Sequence, residues 1–173
     1  MEGYRQIPYA VVDGVPTFKD SDLKKIYQKV ELQQLRVTLF NDGSINSEAD
    51  FIQMVKAPGT LFWVVIDQDS NPVCVWWLNR LTKTHAWAHF TLFKEVWGTG
   101  ITDVIGKEAM QICFDTLGFK VIMGMIPASN AFGLRYLERV GLKHVGVVEG
   151  LLYSEKLGEP VDGVILKISK GDL

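Results

Sequence analysis

Two glycines one residue apart, Gly98 and Gly100, lie in the stretch FKEVWGTGITDVIGKEAM (93–110), where an apolar run gives way to a helical pattern. At such a handover the unbonded N–H groups of the helix's first turn point outward, together with the positive end of its dipole. Glycine lets an anion approach that backbone closely. The chemistry on offer is a phosphate cradle, with amides from Trp97 to Thr102 as donors and the hydroxyls of Thr99 and Thr102 beside them. A tight strand-to-helix turn without a ligand is the other reading of two glycines, and on these residues alone both stand. Two phosphate motifs are excluded. The dinucleotide fingerprint needs a third glycine where Asp103 stands, and the Walker loop needs a Gly-Lys-Ser/Thr that the chain lacks.

Other chemistry-bearing residues are few. His85, Trp87, His89 and Thr91 alternate along one strand-like segment, so they share a face. Cys74 and Cys113 lie in apolar segments with no CxxC and no histidine at ligand spacing. They read as buried free thiols, with no metal site, in a reducing cytosol. His144 reads as a surface residue.

The elements that must position these residues follow from composition and period. With 173 residues, 47% of them apolar, and a net charge of −2, the chain is expected to form one domain with a real core. It has no basic surplus for nucleic acid or an anionic membrane. No apolar run approaches the roughly 20 residues that span a bilayer, and the N-terminus lacks the pattern of a signal peptide. A cytoplasmic protein is expected.

A first short strand is read in YAVVDG. A helix follows over Asp20–Phe40, capped by Asp20 or Ser21. A second runs through SEADFIQMVK, with Ser47 and Asp50 spaced as a capping box and Pro58-Gly59 as its stop. TLFWVVID and PVCVWWLNRL read as a hairpin around QDSN, and HAWAHFTLF as a third strand. Ile101–Leu117 is helical, with Ile101, Ile105, Ala109, Ile112 and Thr116 on one stripe, and Gly118 closes it. KVIMGMI reads as a strand buried on both faces, with Gly124 marking a bulge or close approach. AFGLRYLERV is a helix ended by Gly141, and LKHVGVVEGLLYS and VDGVILKIS are two final strands. The order βααβββαβαββ predicts an α/β fold with a mixed sheet and one central βαβ crossover.

From about Thr60 to Ile168 this arrangement resembles the GNAT superfamily of acyl-CoA-dependent N-acyltransferases. Glu95-Val96-Trp97-Gly98-Thr99-Gly100 occupies that family's Q/R-x-x-G-x-G/A motif. Asn130 and Glu138-Arg139-Val140-Gly141-Leu142 occupy its second motif. WGTG, GFKVIMGMI and VGVVEG look most like the branch that acetylates protein N-termini and similar amines. The resemblance implies a single acetyltransferase domain over residues 1–173, with acetyl-CoA as co-substrate, an amine as acceptor, and a homodimer left open. It implies that Val96, Trp97, Gly98, Thr99, Gly100, Ile101 and Thr102 hold the CoA pyrophosphate. Backbone groups of Phe90, Thr91 and Leu92, with the Asn130 amide, would hold pantetheine. Asn130 also reads as a plain helix N-cap, and the two roles are compatible.

Acyl transfer to an amine needs a proton acceptor, because only about one lysine-type amine in two thousand is neutral at pH 7. His89, and after it His85, are the candidate bases; a strand N–H near Thr91 or Leu92 would serve the oxyanion.

Three positions depart from the family. Glu95 stands where Gln or Arg is usual and would repel a diphosphate unless it turns away. Gly133 replaces a serine. Leu137 replaces the tyrosine that protonates the departing sulfur, and Tyr136, the substitute, is about 100° round the helix. These departures motivate an alternative, a GNAT-fold module without turnover that senses acyl-CoA or binds a protein. Trp76 and Trp77 face opposite ways, either lining an acceptor pocket or packing the sheet. Glu48, Asp50 and Glu149 could attract an amine or be solvated faces.

Overall fold

The computed structural model describes residues 3–173. The chain divides into two compact units, Met1–Asn79 with His89–Trp97, and Arg80–Ala88 with Gly98–Leu173. Seven strands form one mixed, mostly antiparallel sheet in the order β1-β4-β5-β6-β7-β9-β8.

The first unit holds β1 (Arg5–Pro8), a two-stranded hairpin of β2 (Val11–Val12) and β3 (Val15–Pro16), α1 (Asp20–Leu32), α2 (Arg36–Leu39), α3 (Glu48–Lys56), β4 (Leu61–Ile66) and β5 (Pro72–Asn79). It also holds the end of β6 (His85–Leu92). The opening strand thus precedes the segment expected to form it, and YAVVDG supplies β2 and a turn with Asp13 and Gly14 at φ 52° and 79°. The long helix expected over 20–40 breaks because Gln34 adopts φ 58°. Its cap is Lys19, whose amide donates to the Asp22 carboxylate at 2.9 Å, rather than Asp20 or Ser21. Ser47 does cap α3, its Oγ accepting from Asp50 N at 3.1 Å. Leu23, Ile26, Tyr27 and Val30, three or four residues apart, bury the inner stripe of α1. They pack in one core with Phe40, Phe51, Phe62 and Trp77.

The second unit holds the start of β6, α4 (Ile101–Gln111), β7 (Val121–Pro127), α5 (Ala131–Val140), β8 (Lys143–Ser154) and β9 (Glu159–Ser169). β6 and β7 pair in parallel from His85↔Val121 to Trp87↔Met123, and α4 is the crossover between them, as the βαβ order predicts. β7 pairs with β9 antiparallel along its whole length. Ile122 and Gly124 are buried and the other five residues half-buried, so the strand is less covered than its apolar run suggests. Gly124 pairs regularly with Leu166 and makes no bulge; Leu142 Cδ2 would stand 3.3 Å from a Cβ there, so close approach explains it. The buried face of α4 is Thr102, Ile105, Gly106, Ala109 and Met110; Ile105 and Ala109 of the expected stripe lie on it, while Ile101 and Ile112 are half-buried and Thr116 is exposed. After Gln111 the helix widens into a π-helical turn over Ile112–Thr116, with Leu117 N bonded to Ile112 O.

Gly106 lets α4 and α5 touch. A Cβ there would overlap Val140 and lie 2.6 Å from the Tyr136 hydroxyl. Gly106→Val is expected to cost about 2–3 kcal/mol by overpacking, read as a lower urea midpoint at unchanged slope. Gly100→Ala, where nothing lies within 4 Å of the added carbon, should stay within about 0.5 kcal/mol. Equal stability of the two variants would contradict this packing.

Candidate functional site

The glycine loop begins in the first unit with a short turn, Lys94–Val96. Val96 N donates to Phe93 O at 3.2 Å and Trp97 N to Lys94 O at 3.1 Å. Trp97 folds back, its indole N–H reaching Leu92 O at 2.8 Å. The amides of Val96 and Trp97 are therefore committed to the turn, and the Leu92 carbonyl already accepts one bond.

In the second unit Gly98 takes φ 73°, a left-handed conformation that favours glycine. Gly100 is the N-cap of α4 at φ −60°. Neither its backbone angles nor its surroundings require glycine, since a Cβ would meet nothing within 4 Å. The amides of Gly98, Gly100 and Ile101 have no hydrogen-bond partner among the described residues. Thr102 N donates to Thr99 O at 3.4 Å, and the Thr102 hydroxyl, nearly buried, turns to Thr99 O and Asp103 Oδ1, each at 3.3 Å. The expected donor set of Val96–Thr102 thus narrows to its centre.

Asn130 caps α5, its Oδ1 accepting from Gly133 N at 2.9 Å. The cap leaves Nδ2 as a donor. Gly133 is explained by space. A side chain there would overlap Ile126 and stand 3.0 Å from Asn130 Nδ2, so glycine keeps both the cap and the packing of α5 on β7. Tyr136 is buried, and its hydroxyl donates to Thr102 O at 3.3 Å, tying α5 to the first turn of α4. His85 Nδ1 is 3.0 Å from Thr82 Oγ1, in the turn that leads into β6. His144 is exposed and lies 3.0 Å from Glu138.

In the first unit, His89 is held on two sides. Its ring stacks on Trp77 at 4.8 Å between centroids and 6° between planes. Its Nε2 lies 3.1 Å from Asn79 Oδ1. An amide oxygen only accepts, so Nε2 is the donor in this bond. On the other face of the sheet Trp63, Trp76 and Phe90 stack in a row, at 4.0 Å and then 5.8 Å. Trp76 and Trp77 do face opposite ways, and both are buried by packing. Thr91 is buried. Of the carboxylates expected to draw an amine, Glu48 is engaged by Lys24 and Gln28, and Asp50 accepts from Ser47 Oγ and Asn46 N; Glu149 is exposed.

Glu95 is turned aside by α1. Lys29 and Gln33 both bond its carboxylate, and Gln33 Oε1 also accepts from Lys94 N at 2.7 Å. Partial burial pushes this carboxyl up, but the hydrogen bonds from Lys29 and Gln33 outweigh it and hold the group below its usual range. Sequence reasoning missed Lys29, Gln33 and Asn79, because a partner more than sixty residues away, or across a hairpin, leaves no local spacing signal.

No protein-family model matches the chain, and no curated protein matches it in sequence. Solved structures match it in fold. The spermidine N-acetyltransferase of Vibrio cholerae, in complex with CoA and spermine, superposes with a TM-score of 0.77 at 14% identity over 96% of each chain. The ribosomal-protein-S5-alanine acetyltransferase of Vibrio fischeri gives 0.76 at 16% identity, over 99% of this chain and 96% of that one. The Vibrio cholerae enzyme in a dodecameric structure gives 0.72 at 16% identity, over 96% and 94%. The fold is therefore that of the N-acetyltransferases, as the GNAT resemblance implied.

The depressed Glu95 carboxyl stabilises the protein fully above its unfolded value, near 4.3, and loses that contribution as pH falls through the lower folded value. Glu95→Gln should cost about 0.5–1 kcal/mol, the range of a partly exposed pair, at pH 5–7. Its deficit in urea stability should shrink as the pH is taken below 4. A deficit unchanged down to pH 3 would contradict the ion pair.

Proposed function

We propose that the protein transfers an acetyl group from acetyl-CoA to a primary amine. The observation that carries this reading is the set of uncommitted amides at Gly98, Gly100 and Ile101, at the head of α4 in an acetyltransferase fold. Gly98 is needed for the turn, but Gly100 has no conformational or packing reason to be glycine. A diphosphate lying against its amide supplies one. The residues fit the coenzyme. Those three amides would take the diphosphate, and Asn130 Nδ2 a pantetheine carbonyl. Backbone groups of Phe90, Thr91 and Leu92 are further pantetheine ligands under this reading.

Bound acetyl-CoA would supply the thioester, and the chain supplies the base. His89 is first in line, its ring plane set by the Trp77 stack and its Nε2 beside Asn79 Oδ1. His85 is second. Tyr136 is spoken for by Thr102 O, so reprotonation of sulfur falls to water; a thiol with a pKa near 8.5 needs little help to leave. Glu95, neutralised by Lys29, no longer counts against anion binding. The acceptor is an amine of the peptide or small-molecule class, in keeping with the spermine and ribosomal-protein activities named for the matching structures. The two buried thiols fit a reducing cytoplasm: burial pushes both up, Cys113 to about 12.

Two variants test the reading. Gly100→Glu should abolish CoA binding in calorimetry while leaving thermal unfolding nearly unchanged, and unaltered affinity would remove the cradle. His89→Ala should lower kcat for amine-dependent thiol release by about a hundredfold or more and abolish the acid limb of the pH–rate profile. A profile identical to wild type would remove His89. Coenzyme binding without thiol release across an amine panel would favour the silent module instead.

A further inference from the structure

The two faces of the sheet in the second unit differ. Cross-strand partners share a face. Ala86, Ile122 and Ile168 are partners on one side, with Gly124 and Leu166 beside them, and all five are buried. Helix α5 lies on that side, because Gly133 packs on Ile126. The opposite side runs through His85↔Val121, Trp87↔Met123↔Lys167 and Met125↔Ile165. None of these residues is buried; Lys167 is exposed and the rest are half-buried.

This open face is apolar and carries positive charge. Trp87, Met123, Met125 and Ile165 supply an aromatic, thioether and aliphatic surface, and methionine adapts its shape to what it meets. The exposed Arg80 guanidinium lies 5.5 Å from the centre of the Trp87 ring, a cation–π contact. Arg80 takes φ 48°, a left-handed conformation that long side chains seldom adopt. Neither Arg80 nor Lys167 forms an ion pair among the described residues. Asp172, close enough to feel Lys167, is held by Lys143. No Asp or Glu occupies a paired position of β6, β7 or β9 on this face.

We propose that this face docks an extended, acidic and apolar segment of a polypeptide that carries the acceptor amine. The identity of the amine rests on the acetyl-transfer reading above; the docking does not. Alternating apolar and acidic side chains would meet the thioether and aromatic surface with one row and the two cations with the other. A polyamine would face Arg80 and Lys167 with no carboxylate to offset the repulsion. His85, the second candidate base, stands on the same face.

Fluorescence anisotropy with labelled peptides of equal length and a free N-terminal alanine tests the docking. One peptide alternates Glu with Leu, one Glu with Ser, and one Lys with Leu. The Glu-Leu peptide should bind about tenfold or more tighter than either of the others. Arg80→Gln and Lys167→Gln should each weaken it several-fold and flatten its salt dependence. Lys107→Gln, at an exposed position of α4, should leave its affinity unchanged. Equal affinity for the Glu-Leu and Lys-Leu peptides, or an affinity that both charge-removing variants leave intact, overturns the docking. So does self-association of the protein that Arg80→Gln and Lys167→Gln abolish while no peptide binds, since a second copy then covers the face. Thiol release from acetyl-CoA separates the two readings. Release with spermidine but not with the Glu-Leu peptide overturns the docking and leaves acetyl transfer standing. Variant-sensitive binding of the Glu-Leu peptide with no release from any amine supports the docking and overturns acetyl transfer.

Discussion

Backbone amides without a partner are the constraint on which this structure turns. A chain that stops being strand and becomes helix must release donors at the junction, and buried or not, those donors seek an acceptor. Here the junction is managed in two steps. The turn Lys94–Val96 consumes the amides of Val96 and Trp97, and the indole of Trp97 closes it against Leu92 O. Gly98 then swings into the left-handed region, and the next donors are presented outward. The side chains nearby are arranged so as not to compete. Thr102 bonds backward to Thr99 O, and Asp103 is held by Arg139.

Glu95 shows how a residue of the wrong charge can be accommodated next to such a site. An isolated carboxylate a few residues from the loop would oppose an anion. Lys29 in the last turn of α1 and Gln33 at its C-cap take both of its oxygens, and Gln33 Oε1 accepts from the Lys94 amide. The same contacts fasten α1 to the turn that opens the loop. The anion-repelling charge becomes a structural tie within the first unit. A comparable economy holds at Gly133, where the missing side chain preserves a cap and a helix–strand contact together.

Much of this was legible in the residues. Helical spacing and short apolar runs bounded by turn residues located β4 to β9 and α3 to α5 closely. The glycine loop, the Asn130 cap and the Gly141 terminator carry local geometry in their residue types. What was not legible depends on distant chain. Gln34 entering the left-handed region to break the expected helix is not a choice glutamine announces. The Glu95–Lys29 pair joins residues far apart in sequence. The partners of the amides were illegible too: Val96 and Thr102 look as suitable as Gly100 until the turn that occupies them is seen. Tyr136 has the chemistry of an acid but spends its hydroxyl on Thr102.

The central claim is that the amides of Gly98, Gly100 and Ile101 grip a phosphate group. Amide NMR during a coenzyme titration tests it most directly, since glycine signals are readily resolved. The account predicts large downfield proton shifts and slowed exchange at Gly98, Gly100 and Ile101, with little change at Val96 or Trp97. Saturating coenzyme that leaves those three amides unshifted and freely exchanging would contradict it.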